Sequence, residues 1–83
     1  MLQIKVLGSG CPNCKKLEAE TRAALDGPGI SYDLTKITDY AEIASYGVLN
    51  TPGLVINDRV VSSGKIPDRG QILTWALEAQ GDA

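Results

Sequence analysis

The sequence contains no histidine and only two cysteines. Without imidazole there is no Cys-His catalytic pair, no Cys/His zinc site and no histidine acid-base chemistry. Two cysteines in 83 residues do not make a disulfide scaffold. A bridge between Cys11 and Cys14 closes a very small loop, so it constrains the unfolded chain little. No stretch approaches the roughly 20 apolar residues that a membrane helix needs. The chain begins with a strand-like segment, not with the basic stretch and apolar core of a signal peptide. The net charge of -2 is mild, which leaves no electrostatic footprint for nucleic acid or an anionic membrane. The expected location is the cytoplasm, where a close cysteine pair serves redox or metal chemistry more often than structure.

What is present supports a packed core. Hydrophobic residues make up 43% of the chain, which rules out a disordered acidic tail. At 83 residues the chain is read as one domain, 1–83. It lies near the size where a single core becomes marginal without a staple.

Residues 2–7 form a short apolar run, read as a first strand in which Ile4 and Val6 face one way. Gly8-Ser9-Gly10 breaks the pattern as a flexible loop. A helix then starts at Cys11 or Pro12, since proline suits a first helical position. Leu17, Thr21, Ala24 and Leu25 follow at helical spacing, and Gly27-Pro28-Gly29 ends the helix. Residues 30–37 read as a second strand. Thr38 or Asp39 caps a short helix, Asp39 with Glu42 matching a capping box, and Tyr40, Ile43 and Ala44 share one face. Gly47 is its C-terminal stop. Residues 54–56 form a strand, Asn57-Asp58 turns the chain, and residues 59–62 return as a hairpin partner. Asp68 opens the last helix with Gln71 at the capping-box offset, and Ile72, Leu73, Ala76 and Leu77 form its buried stripe. The order strand-helix-strand-helix-strand-strand-helix predicts an α/β fold. A parallel pair of first strands and an antiparallel hairpin then make a four-stranded mixed sheet with helices packed on it.

Cys11-Pro12-Asn13-Cys14 sits at the junction of the first strand and first helix. A close thiol pair there can cycle between dithiol and disulfide. Only the thiolate attacks a disulfide. At a helix N-terminus Cys11 faces unpaired backbone N–H groups and the positive end of the helix dipole. Such sites lower a cysteine pKa to about 3.5–7.5 from roughly 8.5. With Cys11 as N-cap, the N–H of Cys14 comes within reach of its sulfur. Counting back from Leu17 and Thr21 puts Cys14 on the core-facing stripe. The two sulfurs are therefore read as unequal, Cys11 the exposed attacker and Cys14 the partly buried resolver. Lys15 and Lys16 either add positive potential near Cys11 or form an ordinary solvated helix face, and the solvated face is preferred.

Thr51-Pro52 is the second signal. A proline before an apolar run suits the first residue of a strand, and periodicity alone reads it as trans. Tyr32, Tyr40, Tyr46 and Trp75 are most simply core or half-buried packing residues. Ser62-Ser63-Gly64-Lys65 is most simply the turn into the last helix. Gly8-Ser9-Gly10 matches neither a P-loop nor a dinucleotide fingerprint.

With the Cys-x-x-Cys after strand one and Thr-Pro before strand three, the sequence resembles a minimal protein of thioredoxin/glutaredoxin fold. It is most similar to the small redox-active disulfide proteins of prokaryotes. The resemblance rests on residues 4–17, on Tyr46-Gly47-Val48 with Thr51-Pro52, and on residues 60–65. It implies a cis Pro52 packed beside the Cys11-Cys14 pair, with the backbone of Thr51 open to an added substrate strand. It also implies that Gly64 lies near the same surface, with Gly10, Pro12, Asn13 and Lys15 supporting the site. The implied reaction is dithiol-disulfide exchange with a protein or small-molecule disulfide, recharged by a reductase or thiol reductant. No cofactor beyond the cysteine pair, no metal and a monomeric chain are expected. Two positions differ from full-length thioredoxins. Gly10 stands where those carry Trp, and residues 2–10 hold no acid where those carry a buried carboxylate. Asn50-Thr51-Pro52 and Ser63-Gly64-Lys65 do not follow the glutathione-binding pattern of glutaredoxins. Gly53 after the proline leaves more room than a larger residue.

Two other readings compete. A soft-metal carrier would hold copper or zinc through the two thiolates. Such carriers usually show Met-x-Cys-x-x-Cys, whereas position 9 is Ser, and their element order is strand-helix-strand-strand-helix-strand. Two cysteines also leave zinc short of its usual four ligands. A redox-sensing interaction module would use the same pair without turnover.

Overall fold

The computed structural model describes residues 2–8, 12–48 and 50–81. The elements run β1 (Leu2–Leu7), α1 (Pro12–Asp26), β2 (Tyr32–Ile37), α2 (Tyr40–Ser45), β3 (Gly53–Ile56), β4 (Arg59–Ser63) and α3 (Arg69–Gly81). The four strands form one mixed sheet in the order β2-β1-β3-β4. β1 runs parallel to β2, with Leu2 opposite Tyr32 and Leu7 opposite Ile37. β1 runs antiparallel to β3, with Ile4 opposite Ile56 and Leu7 opposite Gly53. The expected β-α-β unit and hairpin both form.

Strand position explains composition. β3 lies between β1 and β4, and all its residues are buried, as an interior strand covered on both faces requires. β2 is an edge strand and only half-buried in alternation. The polar atoms of β1 find partners at its rim. The Lys5 ammonium donates to the Tyr46 hydroxyl at 2.7 Å and pairs with Asp58 at 3.5 Å. Asn57 and Asp58 both take positive φ, 50° and 66°, as a two-residue hairpin turn demands. The Asn57 amide N–H donates to the Gln3 carbonyl at 2.8 Å, and the Asn57 side-chain oxygen accepts from the Gln3 N–H at 2.9 Å.

Two hydrophobic clusters sandwich the sheet. On one face Ile4, Val6, Leu54 and Ile56 meet Leu17 and Leu25 of α1 and Ile72 of α3. On the other, Leu7, Val55 and Val48 meet Ile43 of α2. Thr21 is fully buried within α1 and donates its hydroxyl to the Leu17 carbonyl at 2.8 Å, so its burial leaves no orphan group. The helix ends are capped locally. The Asp39 carboxylate accepts from the Ala41 N–H at 3.1 Å, and that of Asp68 from the Gln71 N–H at 2.8 Å.

Four local expectations differ from the fold. Tyr40 is 70% exposed, because the six-residue α2 touches the sheet chiefly through Ile43. Ala44, placed on the same face by its spacing, is exposed too. Leu77 is 52% exposed while Ile72 and Ala76 are fully buried, so the buried stripe of α3 is narrower than its apolar spacing suggests. Ser63 joins Ser62 in β4 and is not part of the turn that follows, because the β3–β4 ladder continues to the Gly53–Ser63 pair.

Candidate active site

The site lies at the C-terminal end of β1, where the chain enters α1. Cys14 falls on the helix face that also carries Leu17 and Thr21, and it is 5% exposed. Pro12, Asn13 and Lys15 are exposed on the first turn. Gly10 and Cys11 lie outside the described residues.

Gly8 is pinned in place. Its N–H donates to the Ile37 carbonyl at 2.9 Å, which extends the β1–β2 ladder by one step. Gly8 was legible only as part of a loop, yet it lies directly against the cysteine. A Cβ built there would collide with the Cys14 Sγ, would sit 3.3 Å from the Cys14 Cβ and 3.7 Å from the Thr51 Cβ. The missing side chain is therefore the space the sulfur occupies. The same geometry puts Thr51 beside Cys14, though the two are far apart in sequence.

The remaining expected residues gather around Thr51. The Thr51–Pro52 peptide bond is cis, Thr51 is exposed and Pro52 is buried. The Pro52 carbonyl accepts from the Gly64 N–H at 2.9 Å. Gly64 has φ +73°, and a Cβ there would come within 2.9 Å of the Asn50 Cβ. Both the left-handed backbone and the close approach require glycine at this position. Gly53 serves packing: a Cβ would crowd Leu7 at 3.3 Å and Val48 at 3.4 Å.

Two charged neighbours of Cys14, Glu18 and Lys36, escaped the sequence reading. A small cleft of about 60 Å³ is lined by Gly8, Cys14, Lys15, Glu18, Lys36 and Thr38, among others. The Glu18 carboxylate receives Lys36 of β2 at 3.1 Å and Arg22 at 3.2 Å. The Lys36 ammonium, with Arg22 behind it, holds the Glu18 carboxyl below its ordinary value, against the opposing effect of partial burial. The available signal was spacing, since Glu18 follows Cys14 by one helical turn. Lys36 was hidden because its partner is on another element. A larger cleft of about 390 Å³ lies at the opposite end of the sheet, lined by Asn57, Arg59, Trp75 and Glu78 among others. It borders neither Cys14 nor Thr51, so its size does not make it the site.

The arrangement suits thiol chemistry. A buried thiol stands at the first turn of a helix, Gly8 lies against it, and the exposed Thr51 packs on the same glycine. The thioredoxin domain family matches residues 2–77. A thioredoxin of Methanocaldococcus jannaschii is 38% identical over 72 residues, covering 87% of this chain and 83% of that protein. A thioredoxin of Methanothermobacter thermautotrophicus is 31% identical over 72 residues, covering 87% of this chain and 94% of that protein. The crystal structure of glutaredoxin 1 from Francisella tularensis complexed with cacodylate covers all of both chains at 19% identity and a TM-score of 0.44. The match along almost the whole sequence shows that the chain belongs to the thioredoxin domain family and is, at the level of that family, a thiol-disulfide oxidoreductase.

Proposed function

We propose that the chain is a single-domain, monomeric, cytoplasmic oxidoreductase working through Cys11-Pro12-Asn13-Cys14. Cys11 attacks a protein or small-molecule disulfide and Cys14 resolves the mixed disulfide. The backbone of Thr51 at Pro52, with Gly64 alongside, receives the substrate chain by strand addition. Pro12, Asn13, Lys15 and Gly10 shape the approach to the sulfurs. The working group is the cysteine pair itself, and a reductase or thiol reductant returns it to the dithiol. The observation that carries this reading is the burial of Cys14 on the core-facing stripe with Gly8 and Thr51 against it. A sulfur so enclosed suits the resolving role and leaves attack to Cys11. The element order also separates the chain from copper-carrier domains, whose middle elements are two consecutive strands.

A redox titration with thiol trapping tests the proposal. One reversible two-electron couple near cytosolic poise is expected. Cys14→Ser should accumulate mixed disulfides through Cys11. Absence of a reversible couple, or stable adducts forming instead through Cys14 in Cys11→Ser, would falsify the assignment. A couple that titrates but sustains no reductase-driven turnover identifies a sensor in place of a catalyst.

A further inference from the structure

The cleft at the far end of the sheet encloses about 390 Å³, within the roughly 300–1,000 Å³ of small-molecule sites. Its two walls are the β3–β4 hairpin and α3. Ile56 pairs with Arg59 across the hairpin, so both lie on one face of the sheet, the face that Ile72 of α3 packs against. On α3, Trp75, Glu78 and Ala79 stand at i, i+3 and i+4, which is one side of a helix. Ile56 is buried, and Val61, Trp75 and Ala79 are half-buried against the same core cluster. Arg59 and Glu78 line the cleft too and are exposed. The floor is therefore apolar and the rim carries one charge of each sign.

Those two charges are unsatisfied. Arg22 and Arg69 are each held by a glutamate. Arg59 and Glu78 form no ion pair or hydrogen bond with any described residue, although they share a cleft. Opposite charges that border one space without meeting leave room for a second, reversed pair between them. Glu78 also opens the last turn of α3, which holds no basic residue. The negative end of the helix dipole disfavours a carboxylate there and favours a cation. A positive group beside Glu78 would relieve that conflict, and no described residue supplies one.

We propose that this cleft binds a free α-amino acid with an aromatic side chain. The ligand ammonium meets Glu78 and the carbonyl end of α3. Its carboxylate meets the guanidinium of Arg59, whose planar fork suits two parallel hydrogen bonds. Its ring lies against Trp75 and Val61, over Ile56, where aromatic packing adds to burial. An α-amino acid carries both charges on one carbon, so they fit between two protein charges that border the same space. The cleft borders neither Cys14 nor Thr51, and the inference does not depend on the oxidoreductase reading.

Trp75 is the sole tryptophan, so its emission reads the cleft without a label. Titration of the intact chain with L-phenylalanine should give a saturable change in that emission. N-Acetyl-L-phenylalanine lacks the ammonium, L-phenylalanine amide lacks the carboxylate and glycine lacks the ring. Loss of one charged contact should weaken binding by about tenfold or more, and glycine should leave the emission unchanged. Glu78→Gln should weaken L-phenylalanine by a similar factor and leave the N-acetyl compound as it was. Arg59→Gln should do the same with respect to the amide. Both residues are exposed and unpaired, so thermal unfolding should not change, and the series of analogues on the unaltered chain needs no variant. No saturable change with L-phenylalanine overturns the proposal. So does a change that every analogue reproduces at equal affinity, or one that neither substitution alters, which places the ligand elsewhere. N-Acetyl-L-phenylalanine binding as tightly as the free amino acid overturns it in favour of a peptide chain end.

Discussion

At Gly8 the missing side chain is what makes room for the sulfur of Cys14. Relief would need the Cys14 sulfur to turn about χ1, out of its buried place, while the Cys14 Cβ stays 3.3 Å away. The sulfur sits on a helix packed through Leu17 and Thr21, and Gly8 is held to Ile37 by its N–H. Gly8→Ala should therefore lower stability by about 1–3 kcal/mol, the usual cost of overpacking, and displace Cys14. Thermal unfolding measures the first effect, and a drop in Cys14 reactivity toward a thiol probe measures the second. A variant as stable and reactive as the parent rejects the tight fit. Gly8 could not be singled out in the sequence, because its neighbour is a side chain on the next element. Cys14 itself was legible, since burial on a helix follows from counting residues.

The helices show the same division at the scale of an element. Their starts are local events. Asp39 and Asp68 each stand just before a helix and accept an N–H from its first turn, and both were readable as caps. α3 depends on its cap because it delivers Ile72 and Ala76 to the core. Asp68→Ala should cost about 1 kcal/mol, seen as a lower denaturant midpoint with an unchanged slope. No loss would mean that packing alone sets the start of α3. Buried faces were less legible than starts. The apolar spacing of α3 included Leu77 and that of α2 included Tyr40, yet both are exposed. Periodicity shows the direction of a hydrophobic stripe, whereas its width depends on how much of the helix the sheet covers.

Across the whole molecule, stability rests on two clusters divided by one sheet. The larger joins α1, α3 and the sheet through Leu17, Leu25, Leu54 and Ile72, all fully buried. An exposed pair, Arg69 with Glu20 at 3.0 Å, also links α3 to α1, but such surface pairs are worth little. Ile72→Ala should cost about 2–5 kcal/mol through lost burial and a residual cavity. Arg69→Ala should cost less than about 1 kcal/mol. Equilibrium unfolding of the two variants checks that order, and the reverse order rejects the account. A loss of several kcal/mol is serious for a chain this short, where total stability is small.

The sequence by itself determined the order of elements, the caps, the two-residue turn at Asn57-Asp58 and the inward phase of Cys14. Each depends on residues within a few positions of one another, where propensity and spacing act directly. Tertiary structure decided the strand order β2-β1-β3-β4, the face each helix covers and the neighbours of the sulfur. Thr51 comes against Gly8, the residue that also meets the Cys14 sulfur, because β3 pairs antiparallel with β1 and so begins where β1 ends. Lys36 reaches Glu18 because β2 runs parallel to β1 and finishes at the same end. Strand pairing converts distance along the chain into contact, and no local pattern carries that information.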